Sequence, residues 1–157
     1  MNVAGFREAS VAAVLVEVDT NLCVPFASLP ALAVLKLLAW SDRHHDSKRD
    51  ATDFLILLNS YAHAGSLDRL YEQEARLLEA HGYDIDLAAA ALLAKDALGV
   101  AGPEARKQIH GILEDDHRFQ LFLQHMAFGE RVAFLDGESD PGMVHQRMHA
   151  FKDAFLL

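Results

Sequence analysis

Cysteine is almost missing from this sequence. Cys23 is the only one in 157 residues, so an internal disulfide is excluded and a reducing compartment is expected. Set between Leu22 and Val24 in a strand-like pattern, it reads as an inert core thiol rather than a nucleophile. No apolar run reaches the roughly 18 residues of a membrane span. The start, MNVAGFREAS, has no basic segment leading into an apolar one, so no signal peptide is read. Together these absences predict a soluble, cytoplasmic protein. Basic charge is scarce too: 14 Lys and Arg against 23 Asp and Glu give a formal charge of -9, which argues against general binding to a nucleic acid backbone. There is no P-loop, no dinucleotide fingerprint and no Ser-His-Asp order.

What the chain does have is apolar residues, 52% of the total, enough to build a core in one domain spanning 1–157 without staples. From Ser10 to Ala27 the runs VAAVLVEV and LCVPFA flank Asp19-Thr20-Asn21, which predicts a β-hairpin. A hairpin alone is marginal in water, and its unpaired edge predicts either a partner chain or self-association. Helical periodicity follows. Ser28 is a good N-cap and Pro30 sits in the first turn of a helix through Leu32, Leu35, Leu38 and Ala39. In the next helix Phe54, Leu55, Leu57, Leu58 and Tyr61 form the buried side.

Further helices are expected at Ser66 to His81, stopped by Gly82, and at Asp84 to Leu98, stopped by Gly99. Three more run over Pro103 to Leu113, His117 to Phe128 and Pro141 to Leu157. Asp140 and Pro141 open the last of these, whose stripe of Val144, Met148, Phe151 and Phe155 packs on the core or, as the alternative, docks another chain. The expected class is α+β and predominantly helical. Residues 1–61 supply the hairpin and two helices, and 62–157 a helical bundle.

The charges that stand out lie between these elements. At about 100° per residue, Lys36 and Arg43 fall within about 20° of each other, on a strip shared with Ala33 and Trp40. Asp50 and Asp53 are one turn apart, and Arg49 and Asp53 are spaced i,i+4. That spacing suits a local ion pair or a ligand-facing cluster equally.

The whole stretch from Ala27 to Tyr61, ASLPALAVLKLLAWSDRHHDSKRDATDFLILLNSY, resembles the region downstream of the active site in a family of predicted bacterial nucleotidyltransferases. These are similar to the nucleotidyltransferase toxins of abortive-infection and toxin–antitoxin systems. The family pattern is roughly Ala-Ser-Leu-Pro-x-Leu-Ala-x-Leu-Lys-Leu-x-Ala-Trp-x-Asp-Arg, then Lys-Asp-Ala-x-Asp-Leu and a helix. Here Arg49 stands where Lys is usual and Phe54 where Leu is usual. Weaker similarity reaches MNVAGFREAS and ALLAKDALGV. The resemblance implies that Lys36 and Arg43 contact nucleotide phosphates, that Arg49, Asp50 and Asp53 shape the same site, and that the hairpin is the remnant of a nucleotidyltransferase sheet. It also implies Mg2+ and an NTP where an amino-terminal half is supplied, and no cofactor otherwise.

The family's metal carboxylates come from a Gly-Ser turn followed by Asp-x-Asp, and the first half of this chain has no such segment. Glu17-Val-Asp19 lacks the Gly-Ser turn and reads as a solvated strand end. Gly65-Ser66 lies between two helices, with Ser66 as an N-cap, and Asp84-Ile-Asp86 is far beyond it. The expectation is therefore a truncated or split nucleotidyltransferase-like protein, aligned after the family's metal-binding acids. It would bind without turning over unless an amino-terminal polypeptide supplied those acids. No catalytic or metal residue is assigned. The alternative is a non-catalytic helical interaction module that binds a protein partner or self-associates.

Nine histidines raise the question of a metal. His145 and His149 have the i,i+4 spacing of a zinc pair but no third ligand at a telling distance, and coincidence explains them better. The same holds for His44-His45-Asp46, although that loop lies beside the candidate site. Asp115-Asp116 reads as a helix start rather than a magnesium site.

Overall fold

A left-handed glycine precedes the first helix. Gly5, at φ 88°, precedes a short helix that periodicity does not predict, α1 (Phe6–Val11), and a Cβ there would come within 2.9 Å of Leu38 Cδ1. The computed structural model describes residues 5–133 and 141–157. The first four residues of MNVAGFREAS and Asp140, expected at the head of the last helix, lie outside the described residues.

The expected hairpin is present as β1 (Ala13–Asp19) and β2 (Leu22–Ala27), paired antiparallel. Asn21 takes φ 62° in its turn, where Asp19 Oδ1 accepts the Thr20 N–H at 2.7 Å. Val14 faces Phe26 and Val16 faces Val24, and the register shifts between Glu17 and Asp19. The two strands pair with each other and pack hardly at all on the helices. One expectation fails as a result: Cys23 is exposed, not a core thiol, because a strand's apolar alternation buries nothing where no layer covers it.

The rest is helical, in keeping with the expected class. In α2 (Leu29–Arg43) the Ser28 Oγ accepts the Ala31 N–H at 3.4 Å, and Pro30 lies in the first turn. Next comes α3 (Arg49–Ser60), followed by a wide turn at 62–66 in which Gly65 adopts φ 95°. The single helix expected over Ser66 to His81 is two, α4 (Leu67–Glu72) and α5 (Ala75–Ala80). The break at Gln73 and Glu74 brings the Glu74 carboxylate to Lys95 Nζ at 2.6 and 2.7 Å and to Arg69 at 3.6 Å. Ser66 has helical dihedrals and caps nothing, contrary to expectation.

Asp84 caps α6 (Ile85–Val100), and every residue from Ala88 to Ala94 is buried, which marks a helix enclosed by its neighbours. Two more helices follow, α7 (Pro103–Leu113) and α8 (Asp116–Ala133); α8 begins at the acidic pair as expected and outruns the predicted end. The last, α9 (Pro141–Leu156), lays Val144, Met148, Phe151 and Phe155 into the core, largely against α6, and so its stripe is not a free docking face. Phe54, Phe122 and Phe151 meet edge to face at the centre, 5.4 and 5.2 Å apart. No helix among the described residues is long and apolar enough to cross a membrane.

Candidate functional site

The reversal between α2 and α3 lays the start of one helix beside the end of the other, so charges distant in sequence become neighbours. Lys36 and Arg43 project from α2 toward Asp50 and Asp53 on the first turns of α3. Lys36 Nζ donates to Asp53 Oδ2 at 2.5 Å and to Asp50 Oδ1 at 3.4 Å. Arg43 grips Asp50 with two parallel bonds, Nε to Oδ2 at 2.6 Å and Nη2 to Oδ1 at 2.8 Å. The Asp50 side chain is fully withdrawn from solvent. Burial pushes its carboxyl up, but the hydrogen bonds and charges of Arg43 and Lys36 outweigh that and hold it below the usual carboxylate range. The hydrogen bond to Asp50, with its charge, raises Arg43 in turn.

Four of the five residues picked out from the sequence therefore meet in one cluster. The fifth, Arg49, is exposed at the start of α3, and its backbone N–H donates to Ser47 Oγ at 3.2 Å. Asp53 pairs across to Lys36 rather than along its own helix to Arg49. Among the described residues, Arg43 Nη1 and one N–H of Lys36 reach no carboxylate, and the two side chains are 56% and 28% exposed, so donor capacity remains on the solvent side. The acids are less available. Asp50 and Asp53 are each engaged by a cation, which does not suit them to gripping a divalent metal, and among the described residues no three His, Cys, Asp or Glu side chains form a metal-holding group.

Trp40, on the same strip of α2, turns inward and donates its Nε1–H to Nδ1 of His125 on α8 at 3.0 Å. His44 stacks on Trp40 at 4.7 Å, His45 lies 4.0 Å from His44, and His125 lies 6.4 Å from His44. Three imidazoles thus gather around Trp40. Burial, with Lys48, His44 and His45 nearby, pushes His125 below its ordinary range. Since Nδ1 accepts from Trp40, the neutral ring carries its proton on Nε2. His125 was invisible in the sequence because its partner is on a helix far away in the chain.

A second polar cluster was also missed. Arg69 holds Asp96 with two bonds of 2.7 Å, and Tyr61 donates its hydroxyl to Asp96 Oδ2 at 2.6 Å. Burial, then Asp96, raises the Tyr61 phenol. This is a clamp between the 62–66 turn, α4 and α6. Asp86 is likewise taken by Arg147, at 2.5 Å, which also reaches Asn59 at 2.7 Å. Both Glu17 and Asp19 lie on the exposed hairpin. His145 and His149 are exposed with their rings 6.3 Å apart, and His149 packs on Phe119.

No family model, curated protein or solved structure matches the chain.

Proposed function

We infer that this is a nucleotidyltransferase-like protein whose α2–α3 face binds the phosphates of a nucleotide and whose own residues do not complete the transfer. The observation that supports the reading is the convergence of Lys36 and Arg43 on one buried carboxylate, with unused donors left on the solvent side. Cations held in place by acids lose little side-chain entropy on meeting a phosphate, and Arg49 adds a third positive charge at the rim. Nucleotidyl transfer uses two divalent metal ions held by carboxylates. With Asp50 and Asp53 committed to Lys36 and Arg43, the acids that hold Mg2+ would belong to another polypeptide.

Equilibrium dialysis with each of the four NTPs, with and without Mg2+, tests this. Saturable binding is expected, weakened several-fold by Arg49→Ala with no change in Tm, since that side chain is exposed. Arg43→Lys keeps the charge but loses the Nη1 donor that the Asp50 fork leaves free, and should weaken binding about tenfold, in line with roughly 1.5 kcal/mol for a charged hydrogen bond. Absence of binding to every NTP, or binding indifferent to both variants, overturns the reading. A second reading, an interaction module without catalysis, is favoured by one observation: the hairpin carries its apolar side chains into solvent.

A further inference from the structure

We propose that the hairpin is a homodimerisation surface, its apolar face packing against the same face of a second copy of this chain. Cross-strand pairing puts Val14 with Phe26 and Val16 with Val24 on one side of the ribbon, and Leu22 extends that side toward the turn. Val14, Val16, Leu22 and Phe26 are between 41% and 52% exposed. Two strands with no covering layer are marginal in water, and a continuous apolar patch on a protein surface marks an interaction site.

The charges around the patch narrow what covers it. From Ala12 to Leu35 there is no Lys or Arg, while Glu17 and Asp19 sit toward the turn. Such a surface repels the phosphates of nucleic acid and anionic lipid headgroups alike. A protein face remains, and this face suits its own copy. The Val14–Phe26 and Val16–Val24 pairs on it carry no charge, Glu17 lies on the opposite side across from Cys23, and Asp19, which pairs with Leu22 at the turn end, has its carboxylate bonded to the Thr20 N–H. A twofold axis across the Val14–Phe26 and Val16–Val24 pairs therefore brings valine and phenylalanine together with no like charges opposed at those pairs.

The extent of the patch sets the affinity. At roughly 70 Å² for each half-exposed apolar side chain, the five on this face hide on the order of 350 Å² per copy, less than half the roughly 800 Å² of a standard interface. The dimer is accordingly weak and concentration-dependent. Because each copy carries a formal charge of -9, added salt strengthens it.

Sedimentation equilibrium on the full chain tests the proposal. A monomer–dimer equilibrium is expected, tighter at high salt than at low. Val16→Glu with Phe26→Glu should weaken it at least tenfold while helical circular dichroism stays unchanged, because the strands pack hardly at all on the helices. Leu15→Glu, on the other face, should alter it less than twofold. A spin label on Cys23 of the otherwise unaltered protein gives a readout that needs no variant. Face-to-face packing keeps the two labels on the outer sides, further apart than the roughly 10 Å between packed sheets. A monomer at all concentrations, equal loss from Leu15→Glu, or labels in contact overturns the proposal. The residues are disjoint from the α2–α3 cluster, so failed nucleotide binding and failed dimerisation are separate results.

Discussion

Asp50 is the residue on which the candidate site turns. Its side chain is out of solvent, and two cations from the preceding helix hold it ionised there. Removing one partner of a buried pair costs about 3–5 kcal/mol when the other is stranded. Arg43 is itself half-exposed and Lys36 remains in place, so Arg43→Ala should fall at or below the low end of that range. The informative variant is the double one: Arg43→Ala with Asp50→Ala should cost clearly less than the sum of the two single changes, by about 0.5–3 kcal/mol. Urea denaturation of the four proteins measures this. Additive losses would show that the pair is not coupled. The residue types and their face were legible in the sequence, whereas the partner was not. Spacing alone offered Arg49 to Asp53, and the turn between α2 and α3 gave Asp53 to Lys36 instead.

At the scale of elements, the break between α4 and α5 coincides with an ion-pair cluster. The sequence from Ser66 to His81 contains nothing that stops a helix before Gly82, yet the chain bends where Glu74 meets Lys95 and Arg69. Next to it, Asp96 accepts from both Arg69 and the buried Tyr61 hydroxyl. Asp96→Ala leaves that hydroxyl without its acceptor, and about 1–3 kcal/mol should be lost. Tyr61→Phe keeps the Arg69 fork intact and should cost only about 1 kcal/mol. Thermal melts of the two variants check the order, and a reversed order would mean that Asp96 is not the anchor of this corner. Periodicity located α2, α3, α6, α7 and α9 within a few residues because each has a one-sided or enclosed apolar pattern. It missed α1, which is too short to show a period, and the α4–α5 break, where Glu74 meets Lys95 of α6.

For the molecule as a whole, acidification should unload stability in two stages. Burial lowers the His125 pKa, so as pH falls through about 6.5, the value for an unfolded histidine, the unfolded chain takes up a proton that the native protein refuses. Stability is complete above that pH and declines until the folded pKa is reached. Asp50, whose folded pKa is depressed, contributes a second loss that begins near the unfolded value of about 3.9 and continues as pH falls through the folded one. Trp40, the single tryptophan, donates to His125, so its fluorescence should change at the end of the first stage, where the native ring takes up its proton. His125→Gln should abolish the stability loss that begins at about pH 6.5 while leaving the loss that begins at about pH 3.9. An unchanged profile in that variant would assign the upper stage elsewhere.

Local chemistry determined most elements of this protein: the Asp19-Thr20-Asn21 hairpin, the Ser28 and Asp84 caps, and the apolar stripe of α9 follow from residues within a turn or two of each other. The strip of Lys36 and Arg43 was determined in the same way, since helical geometry alone puts them on one side. Only the tertiary structure decided what faces that strip, where His125 and Asp96 find their partners, and that no layer among the described residues covers the hairpin, leaving Cys23 in solvent. The physical reason is range. Backbone periodicity and capping act over a few residues, whereas burial and charge pairing depend on which distant segment packs alongside.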